Sequence, residues 1–158
     1  MFIIDGHNLL HTVLKAEEAS EATSYLKLCR VVGRYLQQIG RPGVMVFDGV
    51  GPPDKSSFDE VGNPEVLFAG RGADADTAIE DKIRASTAPK RVTVVSSDRR
   101  LRKAARTRKC PSLKSEVFWE DVQKQLSRKR PTPEPAAKRH GLSESETDQW
   151  LDAFGLEQ

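Results

Sequence analysis

Short, unbroken apolar runs alternate along this chain with stretches in which apolar residues fall at helical spacing. Phe2-Ile3-Ile4 is a β-branched run with no polar break, as a strand covered on both faces requires, and Asp5-Gly6 ends it in a turn. From about Ser20 to Ile39 the spacing of Tyr25, Leu28, Val32, Tyr35 or Leu36, and Ile39 predicts a helix, stopped by Gly40 and Pro42. Val44-Met45-Val46-Phe47 repeats the first pattern and again runs into aspartate and glycine, at Asp48-Gly49. Gly51-Pro52-Pro53-Asp54 reads as a loop, and Glu65-Val66-Leu67-Phe68 as a third strand entered through Gly62-Asn63-Pro64. A helix follows from about Asp74 to Ser86, then the strand Val92-Thr93-Val94-Val95, which leads into Ser96-Ser97-Asp98. The next helix carries Leu101, Ala104 and Ala105 on one face. Glu116-Val117-Phe118 is expected to be a last strand before a helix from Trp119 to about Ser127. Strand and helix in alternation imply right-handed crossovers, and so a three-layer α/β/α sandwich around a mostly parallel sheet.

Residues 1–128 are read as the folded domain. Beyond them, residues 129–141 hold Pro131, Pro133 and Pro135, flanked by Arg128-Lys129-Arg130 and Lys138-Arg139, the composition of a stiff, solvated linker. Residues 142–158 predict an acidic helix. Ser143 and Glu146 are spaced as a capping box, and Trp150, Leu151 and Phe154 form an apolar stripe that either folds back or docks a partner. Cys29 and Cys110 stand far apart without metal-ligand spacing, so neither a disulfide framework nor a zinc site is expected. The first apolar run reaches a carboxylate after three residues, too soon for a signal peptide or a membrane span, which predicts a cytoplasmic protein with no membrane partner.

Charge sharpens the picture. The net charge of +2 hides five acids and no Lys or Arg in residues 142–158; without them residues 1–141 carry +7. A body this basic favours an anionic partner such as nucleic acid. Arg99, Arg100, Arg102, Lys103, Arg106, Arg108 and Lys109 put seven cations in eleven residues directly after Asp98. On the helix predicted there, they spread over the exposed arc and can meet phosphates without reading bases. A merely solvated helix face is the plainer reading.

Against this stands a set of acids. Three predicted strands finish at Asp5, Asp48 and Asp98, and ligands of an open parallel sheet bind beyond the carboxyl ends of its strands. Asp76 and Glu80, spaced i, i+4 at the start of a helix, share a face. Converging carboxylates repel, and a divalent cation such as Mg²⁺ or Mn²⁺ is the usual resolution. Asp74 and Asp98 also stand where helix N-caps belong. Asp5 is harder to read as a cap, because Asp5-Gly6-His7-Asn8 looks like a turn; there Asn8 orients Asp5, contacts a phosphate, or closes an Asx turn. His7 and His11 read as ordinary polar residues.

Ile3-Ile4-Asp5-Gly6-His7-Asn8-Leu9-Leu10, Val46-Phe47-Asp48-Gly49, Ala75-Asp76-Thr77-Ala78-Ile79-Glu80 and Val94-Val95-Ser96-Ser97-Asp98 together resemble the ordered blocks of NYN-domain proteins, a branch of the PIN-like nucleases, and most of all their YacP-like group. The resemblance spans about residues 2–127. It implies a PIN/NYN-like fold in which Asp5, Asp76 and Asp98 are the main metal-binding acids, Asn8 is a polar group beside them, and Asp48 and Glu80 are secondary members. It further implies RNA as substrate and raises a ribosome-linked or mRNA-decay partner, met through the C-terminal helix. His7 stands where many relatives carry another residue, so no role transfers to it.

The expectation is therefore a metal-dependent endoribonuclease acting on single-stranded or loop RNA, with catalysis assigned to Asp5, Asp76, Asp98 and Asn8. RNA binding is assigned to Arg99, Arg100, Arg102, Lys103 and Arg106. The alternative is a non-catalytic RNA-binding adaptor of the same fold, in which the acids are helix caps and the basic helix 99–109 binds. A haloacid-dehalogenase-like phosphatase would need a second aspartate where His7 stands, and a dinucleotide-binding domain would need a glycine fingerprint after the first strand.

Overall fold

The computed structural model describes residues 1–17 and 25–128. Strands β1 (Phe2–Asp5), β2 (Gly43–Phe47), β3 (Glu65–Phe68), β4 (Thr93–Val95) and β5 (Ser112–Leu113) form one sheet in the order β3-β2-β1-β4-β5, every pair parallel. The expected α/β sandwich is present, with its sheet wholly parallel. Both registers of β1 start at the same residue, with Phe2 opposite Gly43 on one side and Thr93 on the other.

Alternation along the strands sorts the core into two layers. Phe2 and Ile4, with Met45, Phe47 and Val95, face helices α1 (Gly6–Glu17), α2 (Tyr25–Gln38) and α6 (Ser115–Ser127) through Leu9, Val13, Leu28, Val32, Leu36 and Phe118. Ile3, Val44, Val46 and Val94 face α4 (Ala75–Ala85) and α5 (Arg99–Thr107) through Ile79, Ile83, Leu101 and Ala105. Period-2 strands buried on both faces leave no room for polar residues until the strand ends.

Three expectations need correction. Asp5-Gly6-His7-Asn8 does not form an isolated turn but opens α1, because the Asn8 amide donates to Asp5 Oδ1 at 3.1 Å, the bond by which an N-cap starts a helix. Glu116-Val117-Phe118 is not a strand. Val117 is exposed while Phe118, Trp119 and Val122 are buried, a helical period, so these residues belong to α6, and the last strand is the two-residue β5 before it. A short helix α3 (Ser56–Asp59) follows the loop at 51–54, where none was foreseen; it seats Phe58 in the core. The expected linker 129–141, the helix 142–158 and the start of the helix predicted from Ser20 lie outside the described residues.

Topology places the site. From β1 the chain builds outward through β2 and β3, then returns to add β4 and β5 on the other side, so the order reverses between β1 and β4. Beyond the carboxyl ends of those two strands lies the crevice that such a reversal creates. Gly6 follows β1 directly and opens α1: a Cβ there would stand 2.4 Å from Cε1 of the fully buried Phe47 ring. Gly6→Ala is therefore expected to lower stability. Overpacking of this kind costs about 1–3 kcal/mol, more than the up to about 1 kcal/mol that alanine adds to a helix. The urea midpoint should fall at unchanged m-value, and an unchanged or higher midpoint would contradict this packing.

Candidate active site

Asp5, the last residue of β1, is a carboxylate only 6% exposed. Its two oxygens are held separately: Oδ1 accepts the Asn8 amide, and Oδ2 accepts the Ser96 hydroxyl at 2.9 Å. Ser96, fully buried just past β4, also accepts the Asp98 amide at 3.1 Å, so one hydroxyl ties β1 to the start of α5. Burial pushes the Asp5 carboxyl above its ordinary range, and the charge of Asp48 adds to this against the pull of both hydrogen bonds.

Asp76 enters from the first turn of α4. Its carboxyl is also raised, first by burial and then by the charges of Asp5 and Asp98, with Arg100 pulling the other way. Asp76 thus feels acids from two distant segments, the end of β1 and the start of α5. Asp98 caps α5, its Oδ1 accepting the amides of Arg100 at 2.7 Å and Leu101 at 3.2 Å, so the cap leaves Oδ2 unused. Helices α1, α4 and α5 all begin here, and their positive ends favour anionic groups.

The other assigned residues have more structural roles. Asp48 Oδ1 accepts the Ala75 amide at 2.7 Å, at the start of α4, and Oδ2 lies 3.4 Å from His7 Nδ1. Glu80 is clamped by Arg100, with Nε to Oε1 at 2.8 Å and Nη2 to Oε2 at 3.0 Å, and this bond lowers its carboxyl. Arg100 also approaches Asp76 at 4.0 Å, so it faces the acids rather than standing free for a phosphate. Arg99, Lys103 and Arg106 are exposed and Arg102 is half-buried. Asp74, as its position suggested, caps α4 through Thr77.

Asn8 is a hub. Its Oδ1 accepts the Ser97 amide at 2.9 Å and the Ser115 hydroxyl at 2.5 Å, joining α1, the segment after β4 and the start of α6. Ser97 in turn donates to Glu116 and accepts the Ser115 amide. Ser96, Ser97, Ser115 and Glu116 received no role from the sequence; two serines directly after a buried strand were the available signal. His7 also does more than expected, accepting the Asp48 amide at Nδ1 and meeting the Tyr25 hydroxyl at Nε2.

A family model of the YacP-like NYN domain matches residues 2–154. The chain belongs to the YacP-like NYN domain family. NYN domains are an RNA-related nuclease family, and NYN/PIN-like nucleases typically use divalent metals. The fold is similar to the crystal structure of Rae1 (YacP) from Bacillus subtilis, with TM-score 0.64 and 21% identity, covering 98% of this chain and 87% of that one. A tryptophan-to-leucine mutant of the same protein gives TM-score 0.61 and 18% identity over 79% of this chain and 76% of the other. Among curated proteins none matches.

The carboxylate set of this NYN domain suits a hard divalent cation: oxygen donors, mutually repelling, with the innermost held by neutral hydrogen-bond donors. Among the described residues, no group of three or more His, Cys, Asp or Glu is already arranged to hold an ion. Mg²⁺ keeps several waters and is commonly held by one or two carboxylates plus substrate phosphate, so a full protein cage is not needed. No helix among the described residues is long and apolar enough to cross a membrane.

The raised Asp76 carboxyl has a thermodynamic consequence. A carboxyl with a higher pKa folded than unfolded binds its proton more tightly in the native state, so stability falls as pH rises from about 4 through the folded value and stays reduced above it. In metal-free buffer, Asp76→Asn is expected to raise Tm at pH 7, with the gain disappearing below about pH 4. A melting series that shows no gain at pH 7 would contradict the repulsion among these acids.

Proposed function

We propose that this protein is a metal-dependent endoribonuclease of the cytoplasm that hydrolyses phosphodiester bonds in single-stranded or loop RNA, with Asp5, Asp76 and Asp98 holding Mg²⁺ or Mn²⁺. The observation that supports this reading is that Asp76, at the start of α4, is raised by burial and by the charges of Asp5 at the end of β1 and Asp98 at the start of α5. When bound, a divalent ion supplies a water nucleophile at neutral pH and charge to offset the attacked phosphodiester.

The chain's own residues do the rest. The Asn8 amide and the Ser96 hydroxyl each hold one oxygen of Asp5 and so fix the orientation of its carboxylate. Asn8 Oδ1 locks the segment from Ser96 to Asp98 against α6, which keeps Asp98 in register with Asp5. Arg100, held by Glu80 beside Asp76, positions a cation at the rim, where a substrate phosphate can displace it from the acids. Next to it, a recess of about 540 Å³ between α4 and α5 is lined by Arg84, Lys103 and Arg108, a basic track that suits a nucleic-acid backbone. In this reading Asp48 and Glu80 support α4 and Arg100.

The capping bonds of Asp5 and Asp98 favour a second reading, the non-catalytic adaptor, in which the acids only start helices. One experiment separates the two. Purified protein with Mn²⁺ should cleave labelled single-stranded RNA, and Asp5→Asn and Asp76→Asn should each lose about a hundredfold or more, since even residues that only orient a metal's ligands are worth 10–100-fold. Circular dichroism should show both variants folded. Variants that cut as fast as wild type would leave the adaptor.

A further inference from the structure

Asp48 borders a second feature that the cleavage site does not use. Together with Tyr25, Phe47, Val50, Phe58 and Phe68 it lines a recess of about 520 Å³. The rings form a connected cluster: Phe47 and Phe68 stack at 5.7 Å and 26°, Phe58 meets Phe68 edge-on at 5.4 Å, and Tyr25 meets Phe47 edge-on at 5.0 Å. Tyr25 and Val50, 39% and 51% exposed, leave apolar surface open to solvent at this place. Lys55 stands over the Phe68 ring, its Nζ 5.4 Å from the centroid, and brings a cation to the same wall.

We propose that this recess takes an unpaired base of the RNA substrate, flanking the bond that is cut. The inference rests on the RNA-cleaving reading above and names where that substrate is gripped. Three observations favour a nucleobase as the occupant. The recess adjoins the acids through Asp48, which lines it and accepts the Ala75 amide next to Asp76. Its volume falls within the range of small-ligand sites, and the half-exposed Tyr25 ring, backed by the buried Phe47, offers an apolar face on which a flat ring can stack. Lys55 supplies the charge that the attached phosphate needs. Stacking on aromatic rings accepts any base, since every base has a π-face, so this site grips without reading sequence. A base held in a duplex cannot enter, which selects single strands and loops.

An abasic scan of the full-length protein tests this. Short fluorescent single-stranded RNAs carry one abasic residue at each position in turn. Kd is read by anisotropy without added metal, and the cut position is mapped separately with Mn²⁺. One abasic position beside the cut should weaken binding by about tenfold, whereas exchanging the base there among the four should change it far less. In Tyr25→Leu, normal RNA should bind about as weakly as the abasic RNA binds wild type, and the abasic residue should bring no further loss. A flat scan on the wild-type protein overturns the proposal, and so does a Tyr25→Leu protein that keeps the full abasic penalty. A protein that cuts RNA with a flat scan leaves the nuclease reading standing and removes only the base site. A protein that neither binds nor cuts RNA overturns both.

Discussion

A carboxylate at the end of a buried strand is the constraint around which this domain is arranged. Asp5 sits 6% exposed, where an ionised acid is unfavourable unless hydrogen bonds or a cation meet it. The protein meets part of that demand with two neutral donors, the Asn8 amide and the Ser96 hydroxyl, and places no arginine or lysine on Asp5 among the described contacts. Asp76 in turn is raised by burial and by the charges of Asp5 and Asp98. Repulsion left standing in a folded protein marks a place where stability gives way to a task, and a site awaiting a cation is the task that fits oxygen donors.

The surrounding fold serves that placement. Reversal of strand order between β1 and β4 opens the crevice, Gly6 lets α1 start without displacing Phe47, and Asn8 braces the segment after β4 against α6. Arg100 is the local counter-cation, shared between Glu80 and Asp76 rather than fixed on either Asp5 or Asp98.

Much of this architecture was legible in the residues. Runs such as Phe2-Ile3-Ile4 and Val44-Met45-Val46-Phe47 read as strands buried on both faces, and the parallel sheet followed from their alternation with helices. What failed were the places where a short local signal competed with a longer one. Glycine after Asp5 suggested a turn, although the aspartate itself supplies the cap that starts α1. Three residues of strand-like composition at 116–118 were outweighed by the period of Phe118, Trp119 and Val122. At the site, the acids were readable because carboxylates at strand ends are chemically conspicuous. The serines around them were not, since Ser96 finds Asp5 across 91 residues of chain and Ser115 finds Asn8 across 107. Spacing also could not show that Glu80 and Arg100 hold each other, because the two stand on different helices.

The most direct measurement is the anomalous scattering of a crystal of the full chain soaked in Mn²⁺. The account predicts a peak in the β1/β4 crevice, about 2.0–2.3 Å from carboxylate oxygens of Asp5 and Asp76, with Arg100 turned toward Glu80. A crevice without a peak at saturating Mn²⁺, with Arg100 closed onto Asp76, would contradict it.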